Sequence, residues 1–141
     1  NIVVTSDQLY DVISSCDVIA TCSGTVTLEI ALLNIPMCIL CKISWLSYLI
    51  MRRLVTIPHI GLANIVADEA VVREFFQGDV NPEILSGELF ELIDNRQYRE
   101  QVKSGLARVR DNLGAGDGAR KMAQLVLSLL HNNESKIVAE E

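Results

Sequence analysis

The sequence predicts an α/β fold, a parallel sheet flanked by helices, and three observations predict it. Short β-branched and aliphatic runs alternate with segments of helical period through the first half of the chain. Half of the 141 residues are apolar but only 5% are aromatic, an aliphatic surplus that suits a helix-covered parallel sheet better than a sandwich. The second half carries only helical signals, so strand-helix alternation is confined to the part that would build the sheet.

Taken in order, Ile2-Val-Val-Thr5 is a β-branched run expected as a first strand, and residues 7–15 place Leu9, Val12 and Ile13 at helical spacing. Residues 17–22 read as a second strand that ends at Ser23-Gly24. A helix is expected over 25–33, stopped by Asn34 two residues before Pro36. Residues 36–41 form the third strand, and Ser44 is placed to cap a helix over 44–55. Residues 60–67 are expected as a fourth strand or extended segment, and 69–76 as a short helix. Asn81 and Pro82 have the residue types of an N-cap and first helical position, opening a helix to about Ile93. Two further helices are expected over 98–113 and 119–131. The chain therefore reads as one domain over 1–131, with a soft boundary near Gly78-Asp79 and a polar tail over 132–141 expected to be disordered.

Formal net charge is −6, which argues against general nucleic-acid binding and leaves an anionic ligand dependent on a local device. Cys16, Cys22, Cys38 and Cys41 lie in or beside apolar runs rather than at the spacings of a disulfide scaffold. Cys38-x-x-Cys41 falls inside a strand, where side chains three apart point to opposite faces, so buried, reduced thiols are expected instead of a metal or redox pair. No secretory leader pattern opens the chain, and no apolar run reaches the roughly 18 residues of a membrane span. A reducing, cytoplasmic setting is expected.

The segment with most chemical content is Ser23-Gly-Thr25 followed by Glu29. A strand-turn-helix junction leaves backbone N–H groups free at the carboxyl end of the sheet, where open parallel sheets place ligands. Two hydroxyls and those amides suit a diphosphate, and Glu29 lies one helical turn beyond Thr25, where a carboxylate can accept both hydroxyls of a ribose. A serine or threonine cap and a solvated glutamate are the plainer readings of the same residues. Gly114-Ala-Gly-Asp-Gly118 follows a helix and not a strand, so it reads as a helix–helix connection with Asp117 as cap. Trp45-Leu-Ser-Tyr48 through Arg52-Arg53 is an apolar stretch with a basic pair. A buried helix with a charged end is the favoured reading, and contact with acyl chains or anionic head groups is the alternative. His59 and His131 are isolated in sequence.

Ser23-Gly-Thr-Val-Thr-Leu-Glu29 with Ala31-Leu-Leu33 and Ile35-Pro-Met37 resembles the "SGTATLE…ALL…PM" stretch of the lipid-A-disaccharide synthase family. Ser44 to Tyr48 and Arg53-Leu-Val55 are similar to that family's next helix, Leu62 to Ala67 to its "LPNLLA", Val72 to Gln77 to its "VPELLQ", and Gly114 to Gly118 to its last glycine-rich loop. The resemblance runs from about Asp17 to Leu130. It implies the carboxyl-terminal half of a glycosyltransferase B fold, with a partial Rossmann-like sheet. It also implies transfer of a diacylglucosamine from a UDP donor to diacylglucosamine 1-phosphate, at the inner-membrane surface. On this resemblance Ser23, Gly24 and Thr25 hold the diphosphate and Glu29 the ribose, while Asn64 and Gln77 stand near the donor. Trp45, Tyr48, Arg52 and Arg53 are the candidates for membrane or acyl contact. No metal or cofactor is implied. The sequence departs from the family pattern at Ala63 (proline in the family), at Asp68-Glu69-Ala70 ("GRE") and at Cys41-Lys42 ("YR"). Lysine there keeps a charge but not a bidentate fork.

The resemblance also implies that the catalytic base and acceptor site belong to an amino-terminal domain, and that strands between the Ile2 and Ala20 strands are missing. An inactive, self-associating chain is therefore expected, because unpaired sheet edges favour association. Two alternatives stay open at this level: another UDP-sugar transferase or epimerase of the same fold, and a non-enzymatic α/β interaction module.

Overall fold

A computed structural model describes residues 2–44, 58–114 and 116–137, with only the backbone described over 130–137. It confirms the α/β class. Three strands, β1 (Ile19–Cys22), β2 (Met37–Cys41) and β3 (Glu74–Phe76), form a parallel sheet in the order β1-β2-β3. The helices are α1 (Leu9–Ser14), α2 (Val26–Leu32), α3 (Leu62–Ala67), α4 (Pro82–Asp94), α5 (Arg96–Leu113) and α6 (Gly118–Ile137). A single 3₁₀ turn, Gln77–Asp79, follows β3.

The central strand explains its own sequence. Met37, Cys38 and Ile39 are buried in succession, as a strand covered on both faces requires, so the run Met-Cys-Ile-Leu carries no polar alternation. Ile39 pairs with Thr21 on one side and with Glu74 on the other, and Leu40 pairs with Cys22 and Phe75. Helix α5 closes the core by packing against α2, α3 and α4. Its buried Val102, Leu106 and Val109 join Ile30, Ala31, Met37, Ile39, Ala63 and Leu92 in one apolar cluster. Gly105 lies on the same surface, because a Cβ there would stand 2.4 Å from Val71 Cγ1.

Boundaries agree with local chemistry at most elements. Asn34 ends α2 in the left-handed region at φ 57°, a residue type that tolerates it. Asn81 caps α4 by accepting from the Ile84 amide at 2.9 Å, with Pro82 in the first turn. Asn95 does the same for α5 through the Tyr98 amide at 3.1 Å, so that helix starts at Arg96, earlier than the expected Tyr98. Gly114 and Gly116 take φ of 77° and 74° in the connection from α5 to α6, which gives this glycine-rich loop its structural reason. Asp117 accepts an ion pair from Lys121 at 3.0 Å, and α6 continues to Ile137, past the expected end at His131.

Four expectations need correction. Residues 2–5 form no strand; Ile2, Val3 and Val4 are 94%, 87% and 92% exposed and pair with nothing among the described residues. Residues 62–67 are helical, not extended, since a short apolar run does not distinguish a buried helix from a buried strand. Residues 74–76 are a strand rather than the end of a helix, because the Ile39 amide donates to the Arg73 carbonyl at 2.9 Å and draws this segment onto β2. The cysteines are not uniformly buried: Cys38 is, Cys41 is partly, and Cys16 and Cys22 are exposed. Cys22 is open because one face of β1 is exposed, with Thr21 buried and Ala20 and Cys22 outward. The expected helix over 44–55, and with it Trp45, Tyr48, Arg52 and Arg53, lies outside the described residues.

Candidate functional site

The carboxyl ends of the three parallel strands bring together Ser23-Gly24-Thr25 after β1, Lys42 to Ser44 after β2 and Gln77 to Asp79 after β3. The sheet order puts the segments after β1 and β3 on either side of the segment after β2, at the carboxyl edge of the sheet where open α/β sheets bind ligands.

The turn after β1 leaves several amides without a backbone acceptor among the described residues. The Ser23 amide bonds the Leu40 carbonyl at 3.3 Å, and the Thr27 and Leu28 amides fold back onto Gly24 and Thr25 at 3.1 and 2.9 Å. Among the described residues, no acceptor meets the intervening amides of Gly24, Thr25 and Val26. Three successive unbonded N–H groups form a concentrated set of donors, of the kind that receives an anionic oxygen. The Thr25 side chain is exposed and makes no cap bond, whereas Thr27 is buried and donates to the Gly24 carbonyl at 2.7 Å. Gly24 has nothing within 4 Å of the place a Cβ would occupy, which leaves room over the turn. Its φ lies outside the left-handed region, so glycine serves approach here rather than backbone geometry.

Glu29 is half-buried on α2, one turn beyond Thr25, and its carboxylate has no hydrogen bond or ion pair among the described residues. Lys42 is exposed at the end of β2. Ser23 is tied down: its hydroxyl donates to the Ile60 carbonyl at 3.0 Å.

Asn64 and Gln77 are both fully engaged with the protein. Asn64 is completely buried; its Nδ2 donates to the Val72 carbonyl and to Glu74 Oε1, both at 2.8 Å, and its Oδ1 accepts from the Val72 amide at 2.9 Å. Gln77 holds the loop after β2 by both amide atoms, accepting from the Ile43 amide at 3.1 Å and donating to its carbonyl at 3.0 Å. These two side chains brace the backbone around the strand ends, Asn64 joining α3 to Val72 and Glu74, and Gln77 joining the end of β3 to the segment after β2.

Glu74 escaped sequence reasoning. It accepts from the Ile60 amide at 2.9 Å, the Gly61 amide at 2.9 Å and Asn64, and so joins β3 to the entry of α3. Its signal in the sequence, a charged residue inside a strand pattern, became readable only once 74–76 was known to be a strand. Burial, then the Glu74 carboxylate, then Cys22 push the nearby Cys41 thiol upward, so it resists ionisation at the strand end.

A second cluster lies elsewhere, in a cavity of about 410 Å³ lined by residues that include Arg73, Glu88 and Tyr98. Buried Glu88 accepts from Arg73 at 3.1 Å and from the Tyr98 hydroxyl at 2.6 Å, and Arg73 stacks 4.9 Å from the centre of the Phe75 ring. Burial first, then the bond to Glu88 and its charge, hold the Tyr98 hydroxyl well above the ordinary phenol range. This set is self-satisfied and includes none of the residues of the Ser23 turn.

Comparison with known proteins places this geometry in a family. The profile of the lipid-A-disaccharide synthetase family matches residues 1–127. Lipid-A-disaccharide synthases of Geobacter sulfurreducens and Geobacter metallireducens are 44% and 45% identical to the chain over 130 and 129 residues, 92% of it in each case. That of Coxiella burnetii is 33% identical over 127 residues, 90% of the chain. The chain spans about a third of the length of these relatives, 34% in each. A match over nearly all of the chain, with the Ser23 turn, the Asn64 brace and the Glu74–Gln77 strand end inside it, assigns this chain to the lipid-A-disaccharide synthase family, a family of glycosyltransferases.

Proposed function

We propose that the chain is the donor-binding part of a lipid-A-disaccharide synthase, and that Ser23 to Glu29 receives the UDP moiety of the donor. The observation that carries this is the run of three amides at Gly24, Thr25 and Val26 that, like the Glu29 carboxylate one turn away, have no partner among the described residues. The amides and the Thr25 hydroxyl meet the diphosphate, and Glu29 accepts from the ribose hydroxyls. Asn64 and Gln77 act on the donor indirectly, by holding the walls that frame it. The reaction would be transfer of 2,3-diacylglucosamine from UDP to 2,3-diacylglucosamine 1-phosphate, with Lys42 and the free amides stabilising the departing diphosphate.

The remaining assignments rest on family membership. The acceptor and catalytic base fall outside this chain, which accounts for a third of its relatives, so the 141-residue chain alone does not turn over. Trp45, Tyr48, Arg52 and Arg53 contact acyl chains at the cytoplasmic face of the inner membrane; among the described residues, no helix is long and apolar enough to cross it. Exposed Ile2 to Val4, the open face of β1 and the apolar positions Met122, Leu125, Val126 and Leu129 of α6 favour self-association.

Calorimetric titration with UDP tests the site. Glu29→Ala should abolish measurable binding of UDP. Equal UDP affinity in Glu29→Ala and the parent chain sinks the ribose assignment.

A further inference from the structure

We infer that Glu74 is a positioning residue for the nucleotide-binding turn, acting through the backbone of Ile60; the inference rests on the donor-site reading above. Ile60 is gripped at both ends. Its amide donates to Glu74 Oε2 at 2.9 Å, and its carbonyl accepts from Ser23 Oγ at 3.0 Å. Ser23 immediately precedes the run of unbonded amides at Gly24, Thr25 and Val26, so a short path links a β3 carboxylate to the β1–α2 turn. Gly61 adds its own bond to Oε1 at 2.9 Å, and Asn64 a third at 2.8 Å.

The strut is stiff for reasons visible around it. Glu74 pairs in register with Ile39 on the buried central strand, which fixes the root of its side chain. The backbone approaches so closely at Gly61 that a Cβ there would stand 2.2 Å from Ile39 Cδ1 and 3.0 Å from Glu74 Oε1. Neither end of the strut is supplied by local sequence: Ser23 reaches 37 residues ahead and Glu74 reaches back 14. A carboxylate, and not an amide, is needed because all three partners are N–H donors. A glutamine keeps one oxygen for Gly61 and Asn64 and turns its own NH₂ toward the Ile60 amide, donor against donor.

Glu74→Gln is therefore the informative variant, since it retains two of the three bonds and removes the one to Ile60. UDP is titrated into the 141-residue chain carrying Glu74→Gln, Ser23→Ala or both, after thermal melts establish the folded fraction. Each single change should weaken UDP binding per folded molecule by about 3- to 10-fold, the value of one hydrogen bond. The double change should be no weaker than the worse single one, because both act through Ile60. The Ile60 amide proton should also move upfield in Glu74→Gln before any nucleotide is added. UDP affinity within twofold of the parent in Glu74→Gln, with Ser23→Ala impaired, overturns the inference and leaves the donor site standing. Losses that multiply in the double variant overturn it equally. UDP affinity unchanged in Ser23→Ala likewise overturns the inference and leaves the donor site standing, because the bond to Ile60 then does nothing for the turn.

Discussion

Replacing Asn64 with leucine removes a side chain of similar size whose polar atoms all serve the protein. The Val72 amide and carbonyl, buried with their residue, lose their partner at a stroke, while Glu74 keeps two of its three donors. Each stranded backbone group costs about 1–3 kcal/mol, so the pair costs about 2–6 kcal/mol. A domain of this kind has about 5–15 kcal/mol in total, so the variant would sit near the edge of folding. Urea unfolding followed by far-UV circular dichroism reads this as a lower midpoint with an unchanged slope. Asn64→Asp provides the contrast. Its carboxylate still accepts from the Val72 amide but presents a second oxygen to the Val72 carbonyl and Glu74, where a donor stood. Protonating the introduced carboxyl restores a donor, so the deficit of Asn64→Asp should shrink as pH falls from 7.5 to 5, whereas that of Asn64→Leu should not. A loss below about 1 kcal/mol in Asn64→Leu would refute the reasoning that these bonds are buried and unreplaced.

Further expectations follow from packing and from the thiols. Gly105→Ala should destabilise by about 1–3 kcal/mol despite the better helix propensity of alanine, because its Cβ meets the Val71 side chain; a more stable variant in urea would show that α5 can shift. Cys16 and Cys22 should react with a thiol reagent at pH 8 in the folded chain, and Cys38 only on unfolding, as counted by mass spectrometry. Burial first, then the Glu88 carboxylate, push the Cys38 thiol from its ordinary 9.0 up to about 11. Below pH 9 folded and unfolded chains both keep that proton and stability does not change on its account. Between pH 9 and about 11 only the unfolded chain releases it, so stability falls as pH rises, and Tyr98, also raised, continues the trend higher. A Cys38→Ala variant should show a shallower decline over that interval.

The strand-turn-helix-strand from β1 to β2 was legible because each signal was local: a β-branched run, a Ser-Gly break, helical spacing, and Asn34 before Pro36. The caps at Asn81 and the glycines at 114 and 116 were legible for the same reason. Residues 60–76 were misread because their conformations are decided at a distance. Asn64 satisfies the backbone of Val72, and β2 recruits Arg73 and Glu74, so helix and strand fall in the opposite order to local preference. The exposure of Cys22 depends on one face of β1 lying open, which its composition does not reveal. Within the site, sequence resemblance marked Ser23 to Glu29 and the two braces, but the roles of Asn64 and Gln77 as supports, and of Glu74 at all, required side-chain geometry.

The donor-site account is tested most directly by following backbone amides during titration of the 141-residue chain with UDP. It predicts that the Gly24, Thr25 and Val26 amide protons move downfield together and saturate with one affinity, and that Glu29→Ala removes the response. UDP binding that leaves these three amides unmoved, or shifts confined to the Arg73–Glu88–Tyr98 cavity, would contradict it.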